Sequence, residues 1–279
     1  MKIFELDIPK LESREFLEEI TDFITSSHIE KWRSIFTPNP EICLATLKDA
    51  EFLEVLQNSD YLTSDGIGLY LGYQISANNY SKIINIFLFP YYLSNVIFRK
   101  KYLYTQFGDR ICGSDLTKEV LDIAEKEKLS IAILDMPAWD EWKQKSQDVL
   151  IGILKEKYPN IHTDLYIYTE NTQQDIFNKI SKSNATVLFS TLGMKQQELS
   201  VRESLGSCPN IKLGLGIGSS FDYFTGFQKR APKLWRDIGL EWLYRIFTSP
   251  NKLNRLRRIY SAVIIFPLKV LFDKGDKKN

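Results

Sequence analysis

Cysteine and histidine are scarce in this chain of 279 residues. The three cysteines, Cys43, Cys112 and Cys208, are scattered without paired spacing, which argues against a disulfide scaffold or a zinc site and favours a reducing compartment. The two histidines, His28 and His162, have no suggestive neighbours, so we expect neither a histidine metal site nor a Ser-His-Asp triad. Both are expected to be structural or surface residues.

No leader sequence is expected, and the chain has neither a long uninterrupted apolar run nor a strong charge of either sign. Residues 1–10 carry two acidic residues and no apolar core, so we expect no signal peptide and a cytoplasmic protein. The apolar run 259–272 is interrupted by a proline and a lysine, and it is shorter than the roughly 20 residues of a spanning helix. A net charge of +1 argues against nucleic acid as a partner.

Short apolar runs alternate with longer helical patterns through the middle of the chain. The predicted strands are Ser34–Phe36, Ser130–Leu134, Asp164–Tyr168, Thr186–Ser190 and Ile211–Ile217. The predicted helices are Glu41–Gln57, Leu116–Lys128, Asp140–Lys157, Asp175–Ser181 and Gln196–Leu205. This alternation predicts an α/β fold, with a Rossmann-like and mostly parallel sheet covered by helices on both faces. Ligands bind beyond the carboxyl ends of such strands. The candidate loops are those that follow Phe36, Leu134, Ser190 and Ile217.

Two regions depart from this alternation. Residues 83–98 are crowded with apolar and aromatic side chains and are followed at once by three basic residues. The tail from Trp235 onward is helical in pattern, amphipathic and rich in arginine, which is typical of an interfacial helix or of a hydrophobic cover. We therefore divide the chain into a core of residues 1–227, with an apolar insert at about 80–105, and a C-terminal appendage of residues 228–279.

Three polar loops precede helical patterns. In the first, residues 63–68, Asp65 stands between small residues, where a loop presents one carboxylate to a cleft; the alternative is a plain helix N-cap. In the second, Arg110 precedes a helix start that offers N–H groups to an anion; the alternative is a capped helix without a ligand. The third loop, Gly193–Glu198, suits a sugar or nucleotide contact, and its alternative is a solvated helix start.

The segment 214–226 and the residues after it are the most informative part of the chain. The glycines, among them Gly216 and Gly218, give a backbone surface that can lie against a diphosphate. Positive charge is added by Lys229, Arg230, Arg245, Arg255, Arg257 and Arg258. The aromatic residues suited to a membrane interface are Trp235, Trp242 and Tyr244.

This part of the sequence resembles the WecG/TagA/CpsF glycosyltransferases, family 26 in the usual classification. The resemblance runs from about Ser34 to Arg258 in five ordered blocks. They are Thr37–Asn39, Ser64–Gly68, Arg110–Asp115, Gly193–Glu198 and Gly216–Arg258. The resemblance implies inverting transfer of N-acetylmannosamine or a related hexose from a UDP-sugar to an undecaprenyl-diphosphate-linked sugar, in the synthesis of a cell-surface polysaccharide.

The resemblance also implies roles for individual residues. Asp65 is implied to be the catalytic base that deprotonates the acceptor hydroxyl. Thr37 and Asn39 match positions that line the same pocket, and Arg110 and Gln197 match polar positions near the nucleotide-sugar. The groups implied to hold a diphosphate and to stabilise the departing UDP are Arg230, Arg245, Arg255 and Arg258. The chain has no Asp-x-Asp motif, and neither a metal ion nor a cofactor is expected.

The chain departs from the family pattern in three places. The loop 135–139 lacks paired glycines, which leaves the identity of the donor open. Lys195 stands where a proline is usual. The stretch between Gly68 and Arg110 is longer than we expect for the family, and its apolar insert predicts either a membrane-touching hairpin or an ordinary core or oligomer contact.

A lipid-linked acceptor and a basic tail together predict a peripheral protein at the inner face of the cell membrane. The alternative for the tail is a helix pair packed on the sheet, and a homo-oligomer is left open.

Two other functions are considered as alternatives to the glycosyltransferase. The altered loop 135–139 favours a non-catalytic sugar- or nucleotide-binding partner in a polysaccharide assembly complex. An NAD-dependent sugar-modifying enzyme is disfavoured, because no Gly-x-Gly-x-x-Gly follows the first strand.

Overall fold

A six-stranded sheet, in which all the described pairings are parallel, forms the centre of the molecule. The computed structural model describes residues 1–26, 32–78, 80–228, 231–232, 235, 244 and 252–273. The strands are β1 (Lys2–Ile3), β2 (Leu6–Asp7), β3 (Arg33–Phe36), β4 (Tyr61–Leu62), β5 (Ser130–Asp135), β6 (His162–Ile167), β7 (Ala185–Ser190) and β8 (Leu213–Gly216). The order across the sheet is β4-β3-β8-β7-β5-β6, while β1 and β2 form a separate antiparallel pair.

Helices cover both faces of this sheet. They are α1 (Ser13–Thr25), α2 (Pro40–Thr46), α3 (Ala50–Gln57), α4 (Ile67–Ala77), α5 (Lys82–Phe98), α6 (Lys100–Phe107), α7 (Gly113–Glu127), α8 (Glu141–Lys157), α9 (Gln173–Ser181), α10 (Gln196–Ser207), α11 (Lys252–Tyr260) and α12 (Phe266–Phe272). Successive strand residues point to opposite faces. Ile133 and Val187 therefore belong to one apolar cluster, and Leu134 and Leu188 belong to the other. The predicted fold class is confirmed.

The predicted elements need two corrections on the β4 side of the sheet. Glu41–Gln57 is not one helix, because the chain breaks after α2 and the Asp49 carboxylate accepts the Phe52 N–H at 3.1 Å to start α3. The predicted membrane-touching hairpin at residues 83–98 is wrong in its conformation, since these residues form the helix α5. The two-residue strands β1, β2 and β4 and the helix α1 were not predicted.

The described end of the tail is helical, as expected. A π-helical turn, Ser261–Ile265, joins α11 to α12. The Phe266 ring is buried, meets Phe4 edge-on at 5.9 Å between centroids, and lies where a side chain on Gly72 of α4 would stand. Hence α12 closes the apolar core over α4. The domain boundary after residue 227 stays a prediction. Of the described helices, none has both the length and the apolar character needed to span a bilayer.

Candidate active site

Asp65 lies at the carboxyl edge of the sheet, in the loop between β4 and α4. Two backbone hydrogen bonds hold this loop against the one after β3, from Thr63 N–H to the Phe36 carbonyl at 2.9 Å and from Asp65 N–H to the Pro38 carbonyl at 3.0 Å. Gly66, at a φ of +91°, then turns the chain into α4 and occupies its N-cap position. As a glycine, this N-cap residue has no side chain with which to cap α4. Because Gly66 holds the N-cap position, the N-cap alternative for Asp65 is wrong, and Asp65 is a half-buried residue of the loop at this edge, the rim of the sheet.

Charged neighbours of Asp65 come from the loop before α7. Burial first, and then the negative charge of Asp65, raise the pKa of the Cys112 thiol to about 11, while the Arg110 guanidinium acts to lower it. The Cys112 thiol also donates to the Asp115 carboxylate, with 2.9 Å between sulfur and oxygen. Asp65, Arg110 and Cys112 are thus electrostatic neighbours. The thiol stays protonated near neutral pH, so Cys112 is not a nucleophile here.

The start of α7 brings a third loop to the same place. A side chain on Gly113 would meet the Ile217 carbonyl at 3.2 Å, the Ser220 hydroxyl at 3.2 Å and the Thr37 hydroxyl at 3.5 Å. A glycine here lets α7 begin against the loops that follow β3 and β8. The side chain of the N-cap residue, Cys112, makes no capping hydrogen bond, and the N-terminus of a helix favours anions. Thr37 is buried beside the start of α7, and its predicted role in lining a substrate pocket stays a prediction.

A hydrogen bond from the loop after β8 to the buried Gln197 side chain holds that loop in place. The Gln197 amide oxygen accepts the Gly218 N–H at 2.8 Å, and its amide nitrogen donates to Glu198 at 2.7 Å. Gly218 has a φ of +55°, which a glycine adopts without strain. Gly216 leaves room for Phe36, because a side chain there would stand 3.0 Å from the phenyl ring. The predicted ligand Gln197 thus shapes the Gly218 backbone that borders the rim.

The loops after β3, β4 and β8 and the start of α7 therefore meet at one edge of the sheet, where the charges of Asp65 and Arg110 both act on Cys112. A model of the Glycosyl transferase WecG/TagA/CpsF family matches residues 1–100 and 94–279, which together span the chain. The chain belongs to this glycosyltransferase family. A curated relative, the N-acetylglucosaminyldiphosphoundecaprenol N-acetyl-beta-D-mannosaminyltransferase of Bacillus subtilis (strain 168), is 27% identical over 281 residues, which cover 98% of this chain and 92% of the relative. The family resemblance and the expected transferase activity are confirmed.

The other residues predicted to bind substrate in this glycosyltransferase lie at the edge of the site or outside the described residues. The Asn39 side-chain oxygen caps α2, accepting from the N–H groups of Glu41 at 2.9 Å and Ile42 at 3.1 Å. Arg258 of α11 forms a two-point ion pair with Glu41, at 2.8 Å from Nε and 2.7 Å from the terminal nitrogen. This pair brings α11 to the first turn of α2, beside the rim. Arg230 and Arg245 lie outside the described residues, as does the side chain of Arg255.

Lys195, at the proline position of the family pattern, has a structural explanation. Its ammonium pairs with the carboxylates of Asp49 at 2.7 Å and Glu51 at 2.9 Å, so it ties the loop after β7 to the first turn of α3. Its φ of +72° is in the left-handed region, which is uncommon for a lysine. The two ion pairs account for the position of this side chain, which is turned toward α3.

A buried charge cluster under the altered loop 135–139 was missed from the sequence. The Lys143 ammonium lies 2.8 Å from the Asp135 carboxylate and 3.8 Å from that of Asp222, and all three side chains are buried. Burial raises the pKa of Asp222, which the positive charge of Lys143 opposes. The cavity beside them is about 40 Å³, enough for water but too small for a nucleotide. The cluster anchors the loop after β5 to the segment after β8, and Lys143 on a helical pattern was the only signal for it.

Proposed function

We propose that this glycosyltransferase moves N-acetylmannosamine or a related hexose from a UDP-sugar to an undecaprenyl-diphosphate-linked sugar, with inversion at the anomeric carbon. The product would enter a cell-surface polysaccharide such as teichoic acid, capsule, exopolysaccharide or common antigen. The reaction would take place at the inner face of the cell membrane. The activity named for the Bacillus subtilis relative, which aligns with nearly the whole chain, supports this acceptor class and this sugar.

The observation that carries the mechanism is the position of Asp65 at the carboxyl edge of the sheet, where its charge and that of Arg110 both act on Cys112. In the proposed reaction, the Asp65 carboxylate accepts the proton of the acceptor hydroxyl, and the hydroxyl oxygen attacks the anomeric carbon. The bond from that carbon to UDP breaks, and its electron pair leaves with the diphosphate. A positioned general base contributes about 10²- to 10⁴-fold to the rate.

Stabilisation of the departing diphosphate is assigned to groups around the same rim. The candidates are the Arg110 guanidinium, the start of α7, and the Gly218 backbone that Gln197 orients. Fixed charges and dipoles of this kind stabilise developing negative charge without having to reorganise. Arg230, Arg245, Arg255 and Arg258 are proposed to add charge from the tail. No metal ion or cofactor is assigned a role, so turnover is expected to persist in a chelator.

A second candidate is a non-catalytic sugar- or nucleotide-binding partner in a polysaccharide assembly complex. The buried cluster under the loop 135–139 is the observation that favours it. Lys143 anchors that loop where the family pattern has paired glycines that approach the nucleotide. A binding partner would hold UDP or a sugar and would release no product.

The test is a panel of UDP-sugars incubated with the purified protein and a short-chain, diphosphate-linked N-acetylglucosamine acceptor, with and without a chelator. Mass spectrometry is expected to show the acceptor extended by one N-acetylhexosamine, and NMR of the new linkage is expected to show inversion. Donor binding without any extended product, across the whole panel, would favour the binding partner instead.

A further inference from the structure

Helix α5 buries both of its amide side chains, together with Tyr92 and Val96, and exposes several large apolar ones. Asn85 and Asn95 are buried, the latter with 1% of its surface exposed. Phe87 and Phe98 are each 80% exposed, and Ile83 is 67% exposed. A helix that packs on a water-soluble core shows the opposite arrangement, with an apolar stripe inside and polar residues outside. The exposed face of α5 therefore suits an apolar surrounding rather than water.

Hydrogen bonds to α4 fix this orientation. The Asn95 amide donates to the Gln74 side-chain oxygen at 2.8 Å, and the Gln74 amide donates to the Tyr92 carbonyl at 3.1 Å. The Tyr92 hydroxyl donates to the Asn85 side-chain oxygen at 2.7 Å. Buried polar groups that lose such partners carry a full desolvation penalty. Rolling α5 about its axis to hide the phenylalanines would break this network, so the exposed face is a fixed feature.

The two stretches of sequence that carry the exposed apolar side chains contain basic residues and no acidic ones. From Gly66 to Gly108 the sequence contains no aspartate or glutamate, whereas it contains Lys82, Arg99, Lys100 and Lys101. The tail from Trp242 to Phe272 likewise has no acidic residue and has six basic ones. These two stretches hold ten of the 36 lysines and arginines, so the rest of the chain carries a net charge of about −9. In the sequence, the basic residues are thus concentrated in the two stretches that carry the exposed apolar side chains of α5, α11 and α12.

The tail extends the same surface and connects it to the rim that holds Asp65. The Lys82 ammonium of α5 lies 5.1 Å from the centre of the Phe272 ring of α12. Exposed apolar side chains of α11, α12 and the turn between them are Leu253, Leu256, Tyr260, Ile264, Leu268 and Phe272. Both α5 and α12 pack on α4, and the Ala262 carbonyl lies against Gly68 in the first turn of α4. The apolar faces therefore share a support with the catalytic loop.

We infer that the exposed face of α5 rests on the surface of an anionic lipid bilayer, and that α5 lies parallel to the membrane beside the tail. Apolar side chains would enter the acyl boundary while the surrounding basic residues meet lipid phosphates. A second copy of the chain is disfavoured as the occupant. A two-fold contact through this face would bring the basic residues of both copies together. The inference deepens the proposed function, because a lipid-anchored acceptor would then meet Asp65 at the membrane surface.

The test is flotation of the full chain with vesicles of phosphatidylglycerol and phosphatidylcholine, compared with vesicles of phosphatidylcholine alone. The test variant is I83S/F87S/F98S, and the matched control is V149S/I167S, which changes exposed apolar residues of α8 and of the far edge strand β6. Truncation is avoided, because removing α12 would uncover the core around Phe266. The wild type and the control are expected to float with anionic vesicles, and the triple variant is expected to lose at least about tenfold in partitioning.

Two further measurements make the outcome decisive. The charge variant K82E/K101E, which leaves the apolar face intact, is expected to lose binding to anionic vesicles as well. The triple variant is expected to keep its circular dichroism spectrum and its turnover on a short-chain, water-soluble acceptor. Undiminished flotation of both variants overturns the inference, as does a wild-type dimer that the triple variant disrupts without any change in flotation. Normal flotation by a wild type that transfers no sugar would instead contradict the proposed function alone.

Discussion

The buried carboxyl of Glu198 makes the stability of this protein depend on pH in a way that Glu198→Gln should remove. Glu198 is fully buried in α10, and burial raises its pKa from 4.5 to about 7. One carboxyl oxygen accepts from Gln197, and the other has no hydrogen-bond partner among the described residues. An ionised carboxylate in this position is therefore poorly compensated.

The direction and the size of this pH dependence follow from the linkage between proton binding and folding. Below pH 4.5 the group is protonated in both the folded and the unfolded states, and it costs nothing. Between pH 4.5 and pH 7 the unfolded chain loses this proton while the folded chain keeps it, so the free energy of unfolding falls as pH rises. Above pH 7 the folded chain loses the proton as well, and the free energy of unfolding falls no further on account of Glu198. A shift of this size corresponds to about 3 kcal/mol.

Denaturant unfolding at pH 5, 6, 7 and 8 measures this dependence. Because glutamine cannot ionise, Glu198→Gln is expected to gain about 2–3 kcal/mol relative to the wild type between pH 5 and pH 8. Glu203→Gln, which changes an exposed carboxyl of the same helix, serves as the control and is expected to show no such gain. A stability difference between Glu198→Gln and wild type that stays constant from pH 5 to pH 8 would refute the reasoning.

Two further predictions concern the packing of α12 and a buried ion pair, and thermal or denaturant unfolding measures both. Gly72→Ala places a methyl group 2.8 Å from the Phe266 ring and is expected to destabilise by about 1–2 kcal/mol, whereas Gly152→Ala, with nothing within 4 Å, is expected to stabilise by about 0.5–1 kcal/mol. Equal effects would contradict the packing of α12 on α4. Lys143→Met leaves the buried Asp135 carboxylate without its cation and is expected to cost about 3–5 kcal/mol; a neutral result would mean that the pair is solvated.

The pattern of apolar runs was sufficient to predict the sheet and most of its helices. Runs such as Ser130–Leu134 and Thr186–Ser190 are buried on both sides, which gives a clear signal. Strands of two residues such as β4 carry no periodicity of their own and are defined by pairing with a longer neighbour. The break between α2 and α3 was missed because Asp49, an N-cap, stands inside a continuous apolar stripe.

The site was predictable where its residues stand in local loops and not where they meet across the chain. Asp65, Thr37 and Arg110 stand in loops that follow or precede regular elements, so position suggested the loops and the family resemblance singled out the residues. Lys143 and Asp222 are far apart in sequence, and neither spacing nor composition links them. The orientation of α5 could not be predicted either. Composition shows that the segment is apolar, but it does not show whether the asparagines face the core or the solvent.

The most direct test of the central claim compares wild type with Asp65→Asn in sugar transfer to the short-chain acceptor and in UDP binding by calorimetry. The amide has nearly the same shape as the carboxylate but cannot accept a proton. Turnover is therefore expected to fall by about 10²- to 10⁴-fold while the affinity for UDP stays within about twofold. Asp164→Asn, on the edge strand β6, is expected to retain both. Turnover of Asp65→Asn within a few fold of wild type would contradict the assignment of Asp65 as the base.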